Sequence, residues 1–536
     1  MTATEAIAKP LASSPVRSER ATNPYLGILG VFLGAGIATL NARLVSVGLP
    51  DLRGAAGFGF DEASWIPTAL NMATMFSGVF VVFLAALFGP RRILLQTAAI
   101  FAVTSTLLPF APGYWATLAM VVIAGAASGT FYSLTMTFVL TVLPKRLIIF
   151  GIAAYAADIV FVSNIASLLE GWYIEYLSWQ WIFWTAALVT PVMMACIYRG
   201  IPRRPPASSK PSWRGFAYFS VGLALLYGAL DQGERLDWLN SGVIVAMFAG
   251  GILLVVAAAV RRLLQPNPTL KLSFLNSRNI VILALSIFAF KFVHLATIIV
   301  IPGFLGNVQQ YRSLQTGHAL AWVALPMFAV VWLVAIVVLY TTSRLTLALG
   351  LTVVAIGSWI CAHLDTLWAG NSFEAVELLL AAGFGSTYVG LVGSIVLEGL
   401  EAGALSSAAT AATFSGFMHF IRIFGGQVGV AAMTHFISIR EKFHSNLLGL
   451  HLQSGSWLTD ERLRLLSGGM FSASAGPDEA QYRAIGILSQ QVRAQAYTLA
   501  TADGFLLVGW MVVAYLLLML FLRPARISYQ DLRKMQ

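Results

Sequence analysis

Apolar residues occur in this chain as long runs separated by short polar segments. A run of roughly 17–25 mostly apolar residues can cross a bilayer as a helix. The runs predict about fourteen such helices, near residues 25–48, 63–87, 93–110, 114–140, 147–169, 179–198, 213–230, 242–260, 279–305, 317–340, 345–361, 377–397, 405–438 and 501–522. The pattern is weakest at 213–230, 345–361 and 377–397, where the runs are short or carry charges near an end. We therefore predict an all-α, polytopic membrane protein.

Basic residues are concentrated in every second loop. These loops carry Arg91, Arg92, Lys145, Arg146, Arg199, Arg203, Arg204, Lys210, Arg214, Arg261, Arg262, Lys271, Arg278 and Arg344. The opposite short loops carry only Arg53, Arg235 and Arg312. Loops rich in Lys and Arg stay in the cytoplasm, so both termini are predicted to be cytoplasmic, with the remaining basic residues following the last helix at Arg523, Arg526, Arg533 and Lys534.

Composition excludes several other classes of protein. The 536 residues are 58% hydrophobic and 10% charged, whereas a soluble chain carries about 25% charged residues. The net charge of +10 does not indicate a nucleic-acid partner, because the basic residues lie in short loops between apolar runs. Cys196 and Cys361 lie within apolar runs and are expected to be packing residues, without a disulfide or a metal cluster. No nucleophile–base pair stands out, so we expect neither an enzyme nor a cofactor.

Two segments interrupt the regular alternation of apolar runs and short loops. Residues 200–212 form a basic, proline-rich linker, and residues 439–500 form a long polar segment on the side opposite the basic loops. Pro477, followed by two acidic residues, is typical of a helix start. Apolar residues then recur at helical spacing up to Leu499. This helix is expected either to lie on the outer surface of the protein itself or to dock a periplasmic partner.

Residues 40–50, with the sequence LNARLVSVGLP, resemble the helix 1 signature of the EmrB/QacA-type drug:proton antiporters, Leu-Asp-x-Thr-Ile-Val-Asn-Val-Ala-Leu-Pro. Further similarities to this family follow in the expected order, at residues 64–70, 178–183, 231–238, 420–431 and 495–505. The chain thus resembles the fourteen-helix subfamily of the major facilitator superfamily, and within it the EmrB-like efflux subunits.

This resemblance implies two six-helix halves with two inserted helices, a six-plus-two-plus-six layout. The expected divisions are a cytoplasmic tail at 1–24, a first half at 25–199, a linker with the inserted helices at 200–278, a second half at 279–522 and a cytoplasmic tail at 523–536. The implied function is proton-driven export of small toxic or amphiphilic compounds across a bacterial inner membrane. The implied partners are a periplasmic membrane-fusion adaptor and an outer-membrane channel.

The chain departs from the family where the family keeps charge. Asn41 stands where helix 1 of the family has an acid. In the loop after helix 2, Gly89, Arg91 and Arg92 remain as the candidate gating loop, but Ala86 replaces the family's acid. These substitutions remove groups that the family is expected to use for gating and proton transfer.

Ionisable residues inside the predicted helices are expected to face a partner or an aqueous cavity. Asp158 lies about eleven residues into helix 5, or about 16 Å along it. Its carboxylate is expected either to substitute for the missing acid of helix 1 or to be a structural partner of Arg43. Arg43 itself lies near the outer end of helix 1, where a long side chain can also snorkel towards water. Glu170, near the outer end of helix 5, is expected to be solvated.

Two further pairs of basic residues recur at helical spacing. Lys291 and His294 lie one turn apart in helix 9, and His419 and Arg422 lie one turn apart in helix 13. The predicted substrate cavity is lined by Asn41, Arg43, Lys291, His294, His419 and Arg422. Because bases outnumber acids, an organic anion is the favoured substrate.

Proton coupling is assigned to Asp158, with His294 as the reserve candidate because histidine titrates near neutral pH. The missing acids leave open an uncoupled facilitator or an importer on the same fold. A non-transporting membrane sensor or assembly subunit is the alternative from a different functional class.

Overall fold

The computed structural model describes residues 23–142, 147–202, 213–264, 277–403, 408–453, 455–470, 472, 474, 476–523, 525 and 527–534. Several predicted features lie outside these residues: nearly all of the 1–24 tail, most of the 200–212 linker, and the loop residues Lys145, Arg146, Lys271 and Arg526.

Long helices account for most of the described chain. They are α1 Pro24–Val47, α2 Phe60–Phe88, α3 Pro90–Leu107, α4 Gly113–Val142, α5 Ile148–Tyr176, α6 Trp181–Gly200, α7 Trp213–Gln232, α8 Gly242–Leu264, α9 Arg278–Asn307, α10 Ser313–Tyr340, α11 Ser343–Cys361, α12 Glu374–Glu401, α13 Ala408–Gly449 and α14 Pro477–Met519. Shorter helices occupy Leu49–Ala56, Trp457–Met470 and Tyr529–Lys534. The predicted all-α, polytopic fold is confirmed.

Thirteen of these helices, within the part of the chain that the structure describes, are long and apolar enough to cross a membrane. The remaining one is α7, which begins with Trp213 and Arg214 and ends with Asp231 and Gln232. This helix was one of the weak sequence predictions. It packs between α8 and α2, so tertiary contacts hold a helix whose own apolar signal is modest.

Buried apolar side chains form two large cores. One draws on residues between Val31 and Ile201, in the first six helices. The other draws mainly on residues between Ile280 and Leu532, and it also includes residues of α4 and α5. Loops alternate between two ends of the bundle. We call the end that holds Arg91, Arg92, Arg199 and Arg344 the basic end.

Helices α5 and α10 join the two cores by close backbone packing near the opposite end. A Cβ added at Gly171 would lie 2.3 Å from the Leu314 nitrogen, and one added at Gly317 would lie 2.3 Å from the Leu168 nitrogen. Small residues allow helices in membranes to approach in this way. The two glycines therefore allow α5 and α10 to pack tightly at this end of the bundle.

The segment 439–500 is mostly helical. Helix α13 continues without a break to Gly449, and α14 begins at Pro477 as predicted, but it runs on to Met519 instead of starting anew near 501. At 1.5 Å per residue each helix is about 60 Å long, twice the hydrocarbon thickness of a bilayer. Both helices therefore extend beyond the membrane at the end opposite the basic loops. Apolar runs could not predict this, because the extensions are polar.

Glu170 differs from its sequence prediction. Its side chain is fully buried rather than solvated. The cause is the close packing of α5 on the first turn of α10, which covers this part of α5.

Candidate functional site

The most distinctive polar contact in the bundle centre joins α13 to α4. The guanidinium carbon of Arg422 lies 3.6 Å from the centroid of the Tyr132 ring. A cation over an aromatic face is stabilised by the ring quadrupole, more strongly when both groups are removed from water. One Arg422 nitrogen also lies 3.5 Å from Nδ1 of His419. Arg422 and His419 are thus brought together, as their spacing predicted.

Three tyrosines surround this pair. The Tyr132 ring lies 5.2 Å from the His419 ring and 5.5 Å from the Tyr155 ring, measured between centroids. The Tyr155 ring stacks on Tyr388 of α12 at 6.3 Å. Side chains from α4, α5, α12 and α13 therefore converge at one point. The sequence prediction missed the tyrosines because it considered only ionisable groups, although tyrosines near the middle of apolar runs were the available signal.

A small cavity of about 30 Å³ lies among these residues. It is lined by the three tyrosines, His419 and Arg422, together with Ser415 and apolar residues such as Ile287 and Met418. This volume holds about one or two water molecules. The bundle is therefore closed around this point, and a substrate could enter here only after the surrounding helices separate.

Several polar atoms at this cavity have no hydrogen-bond partner among the described residues. They include Nε of Arg422, Nε2 of His419 and Oγ of Ser415. Buried polar atoms of this kind are rare in folded proteins and usually indicate water or a ligand. A cation flanked by hydroxyl and imidazole groups can bind an anion when the helices part.

Asp158 lies on α5 against the backbone of α1. Its Oδ1 is only 2.5 Å from the position that a Cβ would occupy on residue 36, so a larger residue there would require the carboxylate to move. The charge that acts on Asp158 is that of Arg422. No ion pair with Arg43 occurs in the described part of the structure, so the alternative of an Asp158–Arg43 pair gains no support.

Asn41 and Arg43 lie on α1, away from the lining of the small cavity. Asn41 is buried, and its Oδ1 has no protein partner within the described ranges. Arg43 is half-buried, and its Nε has no hydrogen-bond partner in the described structure. Tyr227 of the inserted helix α7 interacts with it electrostatically.

Lys291 and His294 lie on α9, just before the helix widens into a π turn at Ala296–Val300. His294 is fully buried between Phe290 and Phe384, with ring centroids at 5.7 and 5.0 Å. Lys291 experiences the charges of Arg422 and Arg43. Neither residue lines the 30 Å³ cavity in this closed conformation.

A second polar network, which the sequence analysis did not predict, lies at the end opposite the basic loops. Asp231 accepts hydrogen bonds from Thr68 of α2 and, at 2.8 Å, from Gln427 of α13. Glu234 lies 2.6 Å from His435 of α13. The end of α7 and the turn after it thus contact both α2 and α13.

Electrostatics favours an ionised Glu234 in this turn. Partial burial acts to raise the pKa of Glu234, but hydrogen bonds from Trp238 and His435 outweigh it and hold the pKa below its ordinary value. A charged Glu234 beside His435 strengthens the connection between the turn and α13.

The candidate gating loop turns sharply between α2 and α3. Gly89 has a φ of 83°, which favours glycine. Arg91 donates a hydrogen bond of 2.7 Å to the carbonyl oxygen of Tyr198, at the end of α6. This loop is therefore tied to α6 at the basic end.

Long apolar helices that close around buried charged residues define a polytopic membrane transporter. Residues 31–425 match the sequence profile of the Major Facilitator Superfamily. The chain belongs to this superfamily.

Similar proteins support the same conclusion. The chain is 23% identical over 506 residues to the multidrug export protein EmrB of Haemophilus influenzae, covering 92% of this chain and 95% of that protein. It is 22% identical over 487 residues to the fatty acid resistance protein FarB of Neisseria gonorrhoeae, covering 89% and 92%. The solved structure of the proton:xylose symporter XylE has the same fold, with a TM-score of 0.58 at 12% identity, covering 95% of this chain and 98% of that one.

Proposed function

We propose that this protein is an efflux transporter that moves small amphiphilic organic anions out across a bacterial inner membrane. The observation that carries this proposal is Arg422, held on Tyr132 beside His419 with its Nε unpartnered among the described residues. A guanidinium in that position suits a carboxylate, and the tyrosine rings suit the apolar body of an amphiphile.

The balance of charge in the bundle centre supports an anion over a cation. The charges of Arg43 and Arg422 both act on Lys291, whereas Asp158 is the acid that interacts with Arg422. Each uncompensated cation at this depth is unfavourable, and a bound anion would relieve part of that cost. The names of the relatives, which concern multidrug export and fatty acid resistance, agree with an amphiphilic substrate.

Transport requires the closed centre to open alternately to each side. In this fold the two halves rock about a central site. Opening at the end opposite the basic loops would separate α2 from α13 and α5 from α10. The network around Asp231 and the packing at Gly171 and Gly317 are the contacts that this motion would have to break.

Asp158 is proposed as the proton site, with His294 in reserve. Asp158 can carry or release a charge beside Arg422, at the point where the substrate is proposed to bind. His294 is packed between aromatic rings without a polar partner in the described structure, which makes it the less suitable proton carrier in this conformation.

The interaction between Asp158 and Arg422 also favours a second candidate function, in which a proton and an anion move in the same direction. Protonation of Asp158 would leave Arg422 uncompensated and so favour anion binding, which makes the two binding events mutually favourable. That relationship suits co-transport of a proton with an anion, as in an importer, whereas exchange requires the two to travel in opposite directions. Proteoliposomes with imposed pH gradients of either sign distinguish exchange, co-transport and uncoupled flux.

The proposed orientation places the basic end in the cytoplasm, with both termini there. The extensions of α13 and α14 then lie in the periplasm. Several large apolar side chains on and beside them are well exposed, with Trp457 and Tyr482 each 74% accessible. We propose this surface as the docking site of a membrane-fusion adaptor that leads to an outer-membrane channel.

Flux of a fluorescent fatty acid and of a matched neutral amphiphile in proteoliposomes tests the proposal. Arg422→Gln should reduce binding of the anion by about 10- to 150-fold, since a hydrogen bond to a charged group contributes roughly 1.5–3 kcal/mol. The neutral compound should be little affected. Arg199→Gln, at the exposed basic end, is the matched control. Equal losses for both compounds would show that Arg422 does not select an anion. Binding without flux would exclude transport and would indicate a sensor or assembly subunit.

A further inference from the structure

A larger cavity lies at the basic end, between the α2–α3 turn and the end of α6. Its volume is about 450 Å³, and its lining includes Arg91, Arg92, Gln96 and Tyr198. This volume lies within the range of small-molecule sites. It is well separated in the chain from the residues around Arg422 and takes no part in the transport site proposed above.

Arg91 is held in place at this cavity. One Nη of its guanidinium donates a hydrogen bond of 2.7 Å to the carbonyl oxygen of Tyr198, and the guanidinium carbon lies 5.0 Å from the Tyr198 ring centroid. The other N–H groups of Arg91 have no partner among the described residues. An arginine oriented in this way presents the fixed pair of donors that matches a phosphate or carboxylate.

No acid in the described part of the structure forms an ion pair with either arginine. Residues 84–96 contain neither Asp nor Glu. The ion pairs formed within the described structure include neither Arg91 nor Arg92. Two neighbouring guanidinium groups that share one cavity therefore lack an acidic partner among the described residues.

The surroundings of the cavity suit a lipid. Phe88 and Tyr198 are 50% and 53% accessible beside the arginines, at the level where α2 and α6 end and α3 begins. Aromatic residues in this position are typical of the membrane interface. Basic pockets between membrane helices at such a level bind phosphate-bearing head groups. An apolar rim next to two cations offers contacts to acyl chains that a free phosphate ion does not have.

We propose that this cavity binds the head group of an anionic phospholipid, with the phosphate on Arg91 and Arg92 and the acyl chains along Phe88. The lipid would neutralise the two arginines and connect the α2–α3 turn to α6. Because this turn belongs to the candidate gating loop, occupancy would also stiffen the basic end of the bundle.

The full-length protein, purified in detergent and titrated with phosphatidylglycerol, tests this site by native mass spectrometry. The parent should retain one tightly bound phosphatidylglycerol, and Arg91→Gln should lower its affinity at least about tenfold. Arg92→Gln should also weaken binding. This second variant keeps the test informative if one of the two variants misfolds. The matched control is Arg199→Gln, which removes an exposed arginine next to Tyr198 that does not line the cavity.

Three results would overturn the proposal. Retention of the lipid by both Arg91→Gln and Arg92→Gln at the parent's level would show that the arginines do not hold it. Equal retention of phosphatidylcholine would show that the site does not select an anionic lipid. Displacement of phosphatidylglycerol by inorganic phosphate alone would indicate a site for a free anion.

Discussion

Gln427 of α13 donates a hydrogen bond of 2.8 Å to Asp231, at the end of the inserted helix α7. The other carboxylate oxygen of Asp231 accepts from Thr68 of α2. One carboxylate thus binds a helix from the first six and a helix from the last six. Because α2 and α13 must separate for the centre to open at that end, the inserted helices contribute directly to closure.

Loss of this connection should favour opening at the end opposite the basic loops. Asp231→Ala removes both acceptors and leaves Gln427 and Thr68 without this partner, whereas Asn240→Ala alters only a bond within the same exposed turn. In a background with both native cysteines replaced, a cysteine at Ser415, which lines the central cavity, reports on opening. We expect it to react several-fold faster with a thiol reagent in Asp231→Ala than in Asn240→Ala. Equal rates would show that Asp231 does not hold the halves together.

The sequence predicted the fold more completely than the site. Long apolar runs specify membrane helices because the bilayer permits few other structures. The helix start at Pro477 was predicted separately, from the proline and the two acidic residues that follow it. The continuity of α14 was missed, because its first half is stabilised by packing on Trp457–Met470 and on α13 rather than by lipid.

Within the site, the charged residues could be predicted but not their partners. Asp158 and Arg422 could be singled out because each lies within an apolar run, where charge is rare. Their interaction depends on how α5 and α13 are arranged across the two halves, which residue spacing within one helix does not reveal. The tyrosines were not predicted because aromatic residues are common in apolar runs, and only the structure shows which of them contact Arg422 and His419.

Orientation can be tested at the two ends of the bundle. In the cysteine-free background, a cysteine at the exposed residue Gln453, beyond α13, should react with an impermeant thiol reagent added to intact spheroplasts. A cysteine at the exposed residue Gln530 should react only after the membrane is permeabilised. The expectation follows from the basic loops, which lie at the same end as Gln530. The reverse pattern of labelling would invert the orientation and place the α13 and α14 extensions in the cytoplasm.

Gly36 should be required for the position of Asp158. A methyl group at residue 36 would meet Oδ1 of Asp158 at 2.5 Å, so Gly36→Ala must displace the carboxylate or separate α1 from α5. We expect normal membrane insertion but a loss of pH-dependent transport as large as that of an Asp158 variant. Gly54→Ala is the matched control, because nothing lies within 4 Å of its added Cβ. Normal pH dependence in Gly36→Ala would mean that Asp158 does not act from the position seen here.

Asp158→Asn should uncouple anion binding from pH. In the parent, an ionised Asp158 competes with the substrate for the charge of Arg422, so anion binding should strengthen as the pH falls and Asp158 takes up a proton. Asparagine removes the negative charge at every pH. The variant should therefore bind a fatty acid at neutral pH at least as tightly as the parent does at acidic pH, while transport no longer responds to a pH gradient.

Binding isotherms of a permanently charged alkyl sulfonate between pH 5.5 and 8.5 provide the measurement, because this anion does not itself titrate in that range. Asn41→Asp is the informative companion variant, since it restores an acid where the related antiporters have one in α1. It should add a second pH-dependent step to binding. If Asp158→Asn keeps both the parent's pH dependence and its gradient-driven transport, Asp158 is a fixed counter-charge for Arg422, and the proton site must be sought at His294.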